Sequence, residues 1–113
     1  MPQYVIFFNQ QWVGDHSAEW FQSRGPLAKA VVEDIKAADA FVAAGGLVED
    51  DFQAAHADAT SGALLVEEGP YAPDEQRVGG LTIIDVADDA TARMWAGRIA
   101  EACGWPQEVR QLR

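Results

Sequence analysis

Asp15 and His16 are adjacent residues placed shortly after the first apolar run of the chain. An imidazole takes up or delivers a proton near neutral pH, and a carboxylate beside it fixes its tautomer and raises its basicity. Neighbouring side chains rarely align for a good hydrogen bond. The orienting acid is therefore Asp15 itself, or an acid supplied by folding, Glu68 or Glu75. Such a group, working without metal, nucleotide or nucleophile, performs proton transfer on a small molecule, as in isomerisation or elimination. The competing reading is a polar turn in which Asp15 caps a helical turn at Ser17. Both readings stay open on sequence alone.

His56 and Asp58 form a second pair, which shares one face only if the stretch is extended. Two histidines without ligand-spaced cysteines or carboxylates give no metal site, and no motif calls for a cofactor. Trp12, Trp20 and Tyr71 fall on expected loops. They are candidates to stack on a planar ligand, or to seal the edge of a core or an interface. Arg24 precedes Gly25-Pro26, an expected helix start, where it can hold an anionic group with the first helix N–H groups or pair with Glu19. Cys103, the single cysteine, sits on an apolar helix face and reads as packing. The candidate set is thus His16, Asp15 and Glu68 for catalysis, with Trp12, Trp20, Arg24 and Tyr71 for binding.

These residues need a frame. Tyr4 to Phe8 is β-branched and aromatic and predicts a strand, followed by a loop from Trp12 to Gly25 with one helical turn over Ser17 to Phe21. Gly25-Pro26 predicts the start of a long helix over Leu27 to Ala44, with Ala28, Val31, Val32, Ile35, Ala38 and Val42 at helical spacing and Gly45-Gly46 as its stop. Leu47-Val48 reads as a weak strand. Phe52 to Ser61 is open between an irregular connection and an edge strand, and Ala63 to Val66 is a short strand. Leu81 to Val86 is the clearest strand. Asp88 or Asp89 caps a second helix that presents Ala92, Trp95, Ala96, Ile99 and Cys103 inward and closes at Gly104. Glu108 to Leu112 is a last strand.

The order strand, helix, strand, strand, helix, strand predicts an α+β, ferredoxin-like βαββαβ domain, an antiparallel sheet with two helices on one face. The strands are apolar on both faces, as where Tyr4, Ile6 and Phe8 alternate with Val5 and Phe7. The uncovered face predicts a homodimer closed sheet to sheet.

A length of 113 residues predicts one domain over residues 1–113. The net charge of −10, from 18 acids against 8 bases, repels phosphate backbones and argues against nucleic acid as a partner. No apolar run is long enough for a bilayer. Met1 leads straight into a strand without a signal-peptide pattern, and the lone cysteine suits a reducing compartment. The expectation is a cytoplasmic protein.

Glu68-Gly69-Pro70-Tyr71, followed by Gly79-Gly80 before the strand Leu81 to Val86, resembles the signature of the YCII-related domain family, in particular its DGPF branch. The Gly-Pro corner is rigid, and the glycine pair lets a backbone or a ligand come close. The corner here has Glu and Tyr where the family writes Asp and Phe. Pro73, Glu75 and Gln76 stand where it commonly has Glu, Lys and Glu, so the backbone half of the motif is kept and the charged half is not. The resemblance implies a ferredoxin-like fold forming dimers of α/β-barrel type. It also implies two kinds of function. Some relatives look like enzymes that act on small aromatic or lactone-type metabolites with a His and an Asp in a cleft. Others are encoded beside extracytoplasmic-function sigma factors and have no assigned activity. The readings carried forward are a cofactor-independent small-molecule enzyme of isomerase or lyase type, and a non-catalytic ligand-binding or regulatory module linked to transcription control.

Overall fold

The computed structural model describes residues 1–48, 54–72 and 77–113. Glu75, the alternative orienting acid, lies outside the described residues, as do Pro73 and Gln76 of the family signature and the first residues of the Phe52 to Ser61 stretch.

Six strands and two α-helices follow in the order β1 (Gln3–Asn9), α1 (Ala18–Ala37), β2 (Phe41–Gly46), β3 (Ala55–Asp58), β4 (Leu65–Glu68), β5 (Val78–Asp85), α2 (Asp89–Cys103) and β6 (Glu108–Gln111), with a 3₁₀ turn over Gln10–Trp12 after β1. Four strands form one antiparallel sheet in the order β2-β5-β1-β6. Counting only those four, the spatial order is 2-3-1-4, with each helix joining strands that follow one another in the chain but do not lie side by side in the sheet. This is the ferredoxin-like arrangement. Among the described residues β3 and β4 pair with each other alone, as a hairpin inserted between β2 and β5.

Register assigns the two faces. Tyr4 stands opposite Ile84 and Ile6 opposite Thr82, while Val5 faces Ile83 and Phe7 faces Leu81. Tyr4, Ile6, Ile84 and Val86 pack with Val31 and Ile35 of α1 and Ala92, Trp95 and Ala96 of α2, so both helices lie on one side. The largest fully buried side chains are Ile6, Ile35 and Ile84. An Arg98–Asp34 ion pair ties the helices together at the surface. The opposite set, Val5, Phe7, Leu81 and Ile83, is only partly buried.

The first helix differs from its sequence expectation at both ends. Ser17 caps it, its hydroxyl oxygen accepting from the Trp20 N–H at 3.1 Å, so the supposed single turn is the helix start. Pro26 lies inside the helix rather than at its opening. The helix ends at Ala37, not at Gly45. Asp39 takes a left-handed conformation (φ 58°), its N–H reaches the Lys36 carbonyl, and the Ala40 N–H reaches the Ile35 carbonyl. That double closure is a Schellman motif with Asp where Gly is usual, and the buried Ala40 and Ile35 supply its hydrophobic contact. Ala43 to Gly46, freed from the helix, pair with β5. Leu47 and Val48, read as a weak strand, lie beyond β2 and are exposed.

The second half follows the sequence closely. Asp88 caps α2, its carboxylate accepting from the Thr91 N–H at 2.8 Å and from the Thr91 hydroxyl, and these bonds hold its carboxyl below the usual carboxylate range. Gly104 closes α2 in the left-handed region (φ 80°). The glycine pair lies inside β5, and it admits a ring rather than a ligand: a Cβ on Gly80 would stand 2.8 Å from the Phe8 ring and 3.2 Å from the Gly45 carbonyl oxygen.

Candidate functional site

The sequence candidates divide into separate neighbourhoods. His16 lies flat on Trp20, with ring centroids 3.6 Å apart and planes 10° from parallel. Its Nε2 meets the Val13 carbonyl oxygen at 3.1 Å. The side chain is exposed, and among the described residues no carboxylate stands within ion-pair or hydrogen-bond reach of it. Asp15 is exposed beside it without capping the Ser17 turn, a task Ser17 itself performs.

Glu68 and Tyr71 belong to the β3–β4 hairpin instead. There the second histidine is the organiser. His56 stands opposite Glu67 in the register, with Nε2 3.7 Å from its carboxylate, and its Nδ1 lies 2.9 Å from the Gly69 carbonyl oxygen. Tyr71 meets the His56 ring edge to face at 5.6 Å. The Gly69 N–H closes back on the Ala54 carbonyl oxygen, and Gly69 is left-handed (φ 93°), a backbone that favours glycine. His56 thus braces the Gly-Pro corner of the signature. Asp58 is occupied by the Thr60 N–H and hydroxyl, which lower its pKa first, with the nearby His56 adding a smaller pull. Glu68 is exposed opposite Ala55.

Arg24 and Trp20 do come together. The Arg24 guanidinium lies over the Trp20 indole at 4.7 Å, and Trp20 also packs near Phe21 and Trp105. Gly104 makes this possible, since a Cβ there would fall 2.5 Å from the Trp20 ring. Trp12 sits apart, its ring 6.3 Å from Phe7.

Beside this aromatic cluster opens a groove of about 630 Å³. One wall is a stripe of α1 at spacings of three and four, from Phe21 and Arg24 through Ala28 and Val32 to Lys36. The floor is the β2–β5 side of the sheet, where Ala44, Gly45 and Gly46 are too small to fill the space beneath the helix. Phe8, Phe41, Ile99, Cys103 and Trp105 complete the lining. Neither histidine lines the groove.

Polar groups converge at the Trp105 end. The Cys103 sulfur receives the Trp105 backbone N–H at 3.5 Å and the Gln107 amide at 3.2 Å. Burial pushes the Cys103 thiol up, so it is a weak nucleophile. The Nε–H of Arg24 and the indole N–H of Trp105 are shut off from solvent and meet no acceptor. A dry, unpaired donor costs roughly 1–3 kcal/mol. Nothing in the sequence spacing pairs Trp105 with Arg24; the fold alone brings both to the same groove.

Among the described residues no cluster of three or more metal-ligating side chains occurs, and no helix is long and apolar enough to cross a membrane. In sequence, residues 26–104 match the YCII-related domain. That is more than half of the chain, and it includes both the Gly-Pro corner and the glycine pair. The chain belongs to the YCII-related domain family. No curated protein matches it in sequence. The stretch that aligns with the YCII-related domain begins at Pro26, so β1 and the His16 to Arg24 cluster lie outside it.

Proposed function

We propose that this YCII-related protein is a small-molecule binding module, and that the groove between α1 and β2 is its site. The observation that carries this reading is the separation of the groove from both histidines. A general acid or base must come within hydrogen-bond reach of the atom it serves. His16 is exposed, stacked on Trp20 and bonded through Nε2 to the chain's own backbone. The groove has the size and the mainly apolar, aromatic lining of a ligand site. The enzyme reading, with His16 as acid or base, Asp15 or Glu68 as its partner and an isomerase or lyase reaction, has less support, because among the described residues no carboxylate lies within hydrogen-bond reach of His16.

A metabolite-library thermal-shift screen tests this on the wild type, Val32→Trp and His16→Ala. A ligand that binds the native state raises apparent stability. The expected result is a set of hits lost when Val32→Trp fills the groove and kept in His16→Ala. Hits that vanish with His16→Ala and survive Val32→Trp would return the site to the histidine.

A second reading concerns assembly. We infer a homodimer formed through the face carrying Val5, Phe7, Leu81 and Ile83, which lies opposite the buried Tyr4, Ile6 and Ile84 and is only partly buried. The same patch on two copies is self-complementary about a two-fold axis.

A further inference from the structure

The groove is basic on a strongly acidic protein. Arg24, Lys29 and Lys36 line it, three of the 8 basic residues of the chain, while Glu33 is the acid among the described lining residues. Glu33 is already paired with Lys36 at 3.5 Å. The net charge of −10 would otherwise keep anions away, so this local reversal of sign singles out the groove.

The unmet donors point the same way. Arg24 Nε–H and Trp105 indole N–H both belong to groove-lining residues; as they stand both are closed to solvent, so an acceptor in the groove reaches them only as the two side chains shift, and native structures rarely leave such buried groups without one. A carboxylate accepts from a guanidinium and from an indole N–H, and hydrogen bonds to a charged partner are the stronger kind. The rest of the lining offers rings: Phe8, Phe21 and Phe41 besides Trp105. Flat apolar matter fits between them.

We propose that the groove takes a small aromatic carboxylate, with its rings between α1 and the sheet and its carboxylate held at the Arg24–Trp105 end. This rests on the binding-module reading and adds the ligand's chemical class. Arg24 confers the preference for an anion. Trp105 adds a directional donor, and Lys29 and Lys36 supply field along the groove.

The test uses the full chain with two matched probes, the naphthoate anion and its neutral amide. Binding is followed by thermal shift and by the indole N–H resonances, with the Trp105 signal identified through Trp105→Phe. Naphthoate is expected to bind about tenfold or more tighter than the amide and to move the Trp105 indole signal. Arg24→Gln should erase that preference while leaving amide binding in place. Trp105→Phe, which keeps a ring, should weaken naphthoate alone. Equal binding of both probes, or a preference that survives Arg24→Gln, overturns the carboxylate inference while the groove stands as an apolar site. Failure of both probes, with Val32→Trp indistinguishable from wild type in the library screen, overturns the groove reading as well.

Discussion

The imidazole of His16 and the indole of Trp20 are stacked at 3.6 Å, and this contact sets what His16 can do. Trp20 is in turn held by Arg24 on one side and by Phe21 and Trp105 around it. His16 is the outer leaf of an aromatic cluster whose inner members border the groove. His16→Ala should therefore cost about 1 kcal/mol or less in urea unfolding, the worth of an exposed ring pair. Trp20→Ala should cost about 2 kcal/mol or more, since it removes the centre of the cluster. Near-equal losses would mean that His16 carries structure the stack does not account for.

Phe8 lies against both Gly79 and Gly80, and the contact with Gly80 can be tested by relief. A Cβ on Gly80 meets the Phe8 ring at 2.8 Å and the Gly45 carbonyl oxygen at 3.2 Å. Gly80→Ala should destabilise by about 1–3 kcal/mol through overpacking. The double variant Phe8→Leu with Gly80→Ala should recover part of that loss, because the smaller side chain vacates the clash. Strict additivity in a double-mutant cycle by urea unfolding would contradict the ring-over-glycine packing.

The contrast between the two helices shows how far the residues announce their own structure. α2 was readable because every signal is local: an Asp cap, a periodic face and a closing Gly104. The strand β5 and the edge β6 were legible for the same reason. α1 was misread at both ends because its signals compete. Gly25-Pro26 looks like a helix start, yet the Ser17 cap lies upstream and the helix runs through Pro26. At the other end the stop is made by Asp39, whose left-handed backbone is fixed by the Schellman bonds and by burial of Ala40, while Gly45-Gly46 is drawn into β2 by pairing with β5. The candidate site was half legible. Arg24 and Trp20 were identified, but Trp105 joins them only through the closure of α2 against α1. His56 falls in a stretch that the sequence leaves open between an irregular connection and an edge strand; it lies on β3 and braces the Gly69 carbonyl of the signature corner.

Tyr4 gives the stability a measurable dependence at high pH. Its hydroxyl donates to the Asp89 carboxylate at 2.5 Å, and that bond, with burial and the nearby negative charge, pushes its pKa from 10.0 to about 12. The folded state holds the proton more tightly than the unfolded state. The contribution is therefore complete below pH 10 and is lost as pH rises towards 12. Wild-type stability in urea should fall across this window. Tyr4→Phe should be less stable at neutral pH and show a shallower fall between those two pH values. Parallel curves for the two proteins would remove Tyr4 as the source.

Cys103 should be a slow thiol. Burial raises its pKa, and the Trp105 N–H and Gln107 amide only partly offset that effect. The thiolate is the reactive form, so DTNB at pH 8 should modify the native protein at least about tenfold more slowly than the urea-unfolded chain. A native rate equal to the unfolded one would show the groove wall opening faster than the reagent reacts.

The sheet face turned away from the helices makes the last prediction. Val5 stands directly opposite Ile83 and Phe7 opposite Leu81, so four apolar side chains form one block on the side away from both helices. The molecule is only 17 Å thick along its shortest axis, and its radius of gyration of 16.0 Å exceeds the roughly 13 Å of a compact chain of this length. Among the described residues the four side chains of that face stay partly exposed, and a second copy would bury them on both protomers at once. Sedimentation at micromolar concentration should give twice the chain mass. Ile83→Glu places a charge at the centre of the block, doubled by the two-fold axis, and should yield a folded monomer with unchanged helix content. A single-chain mass for the wild type would show that the bare face is stable in water as it stands.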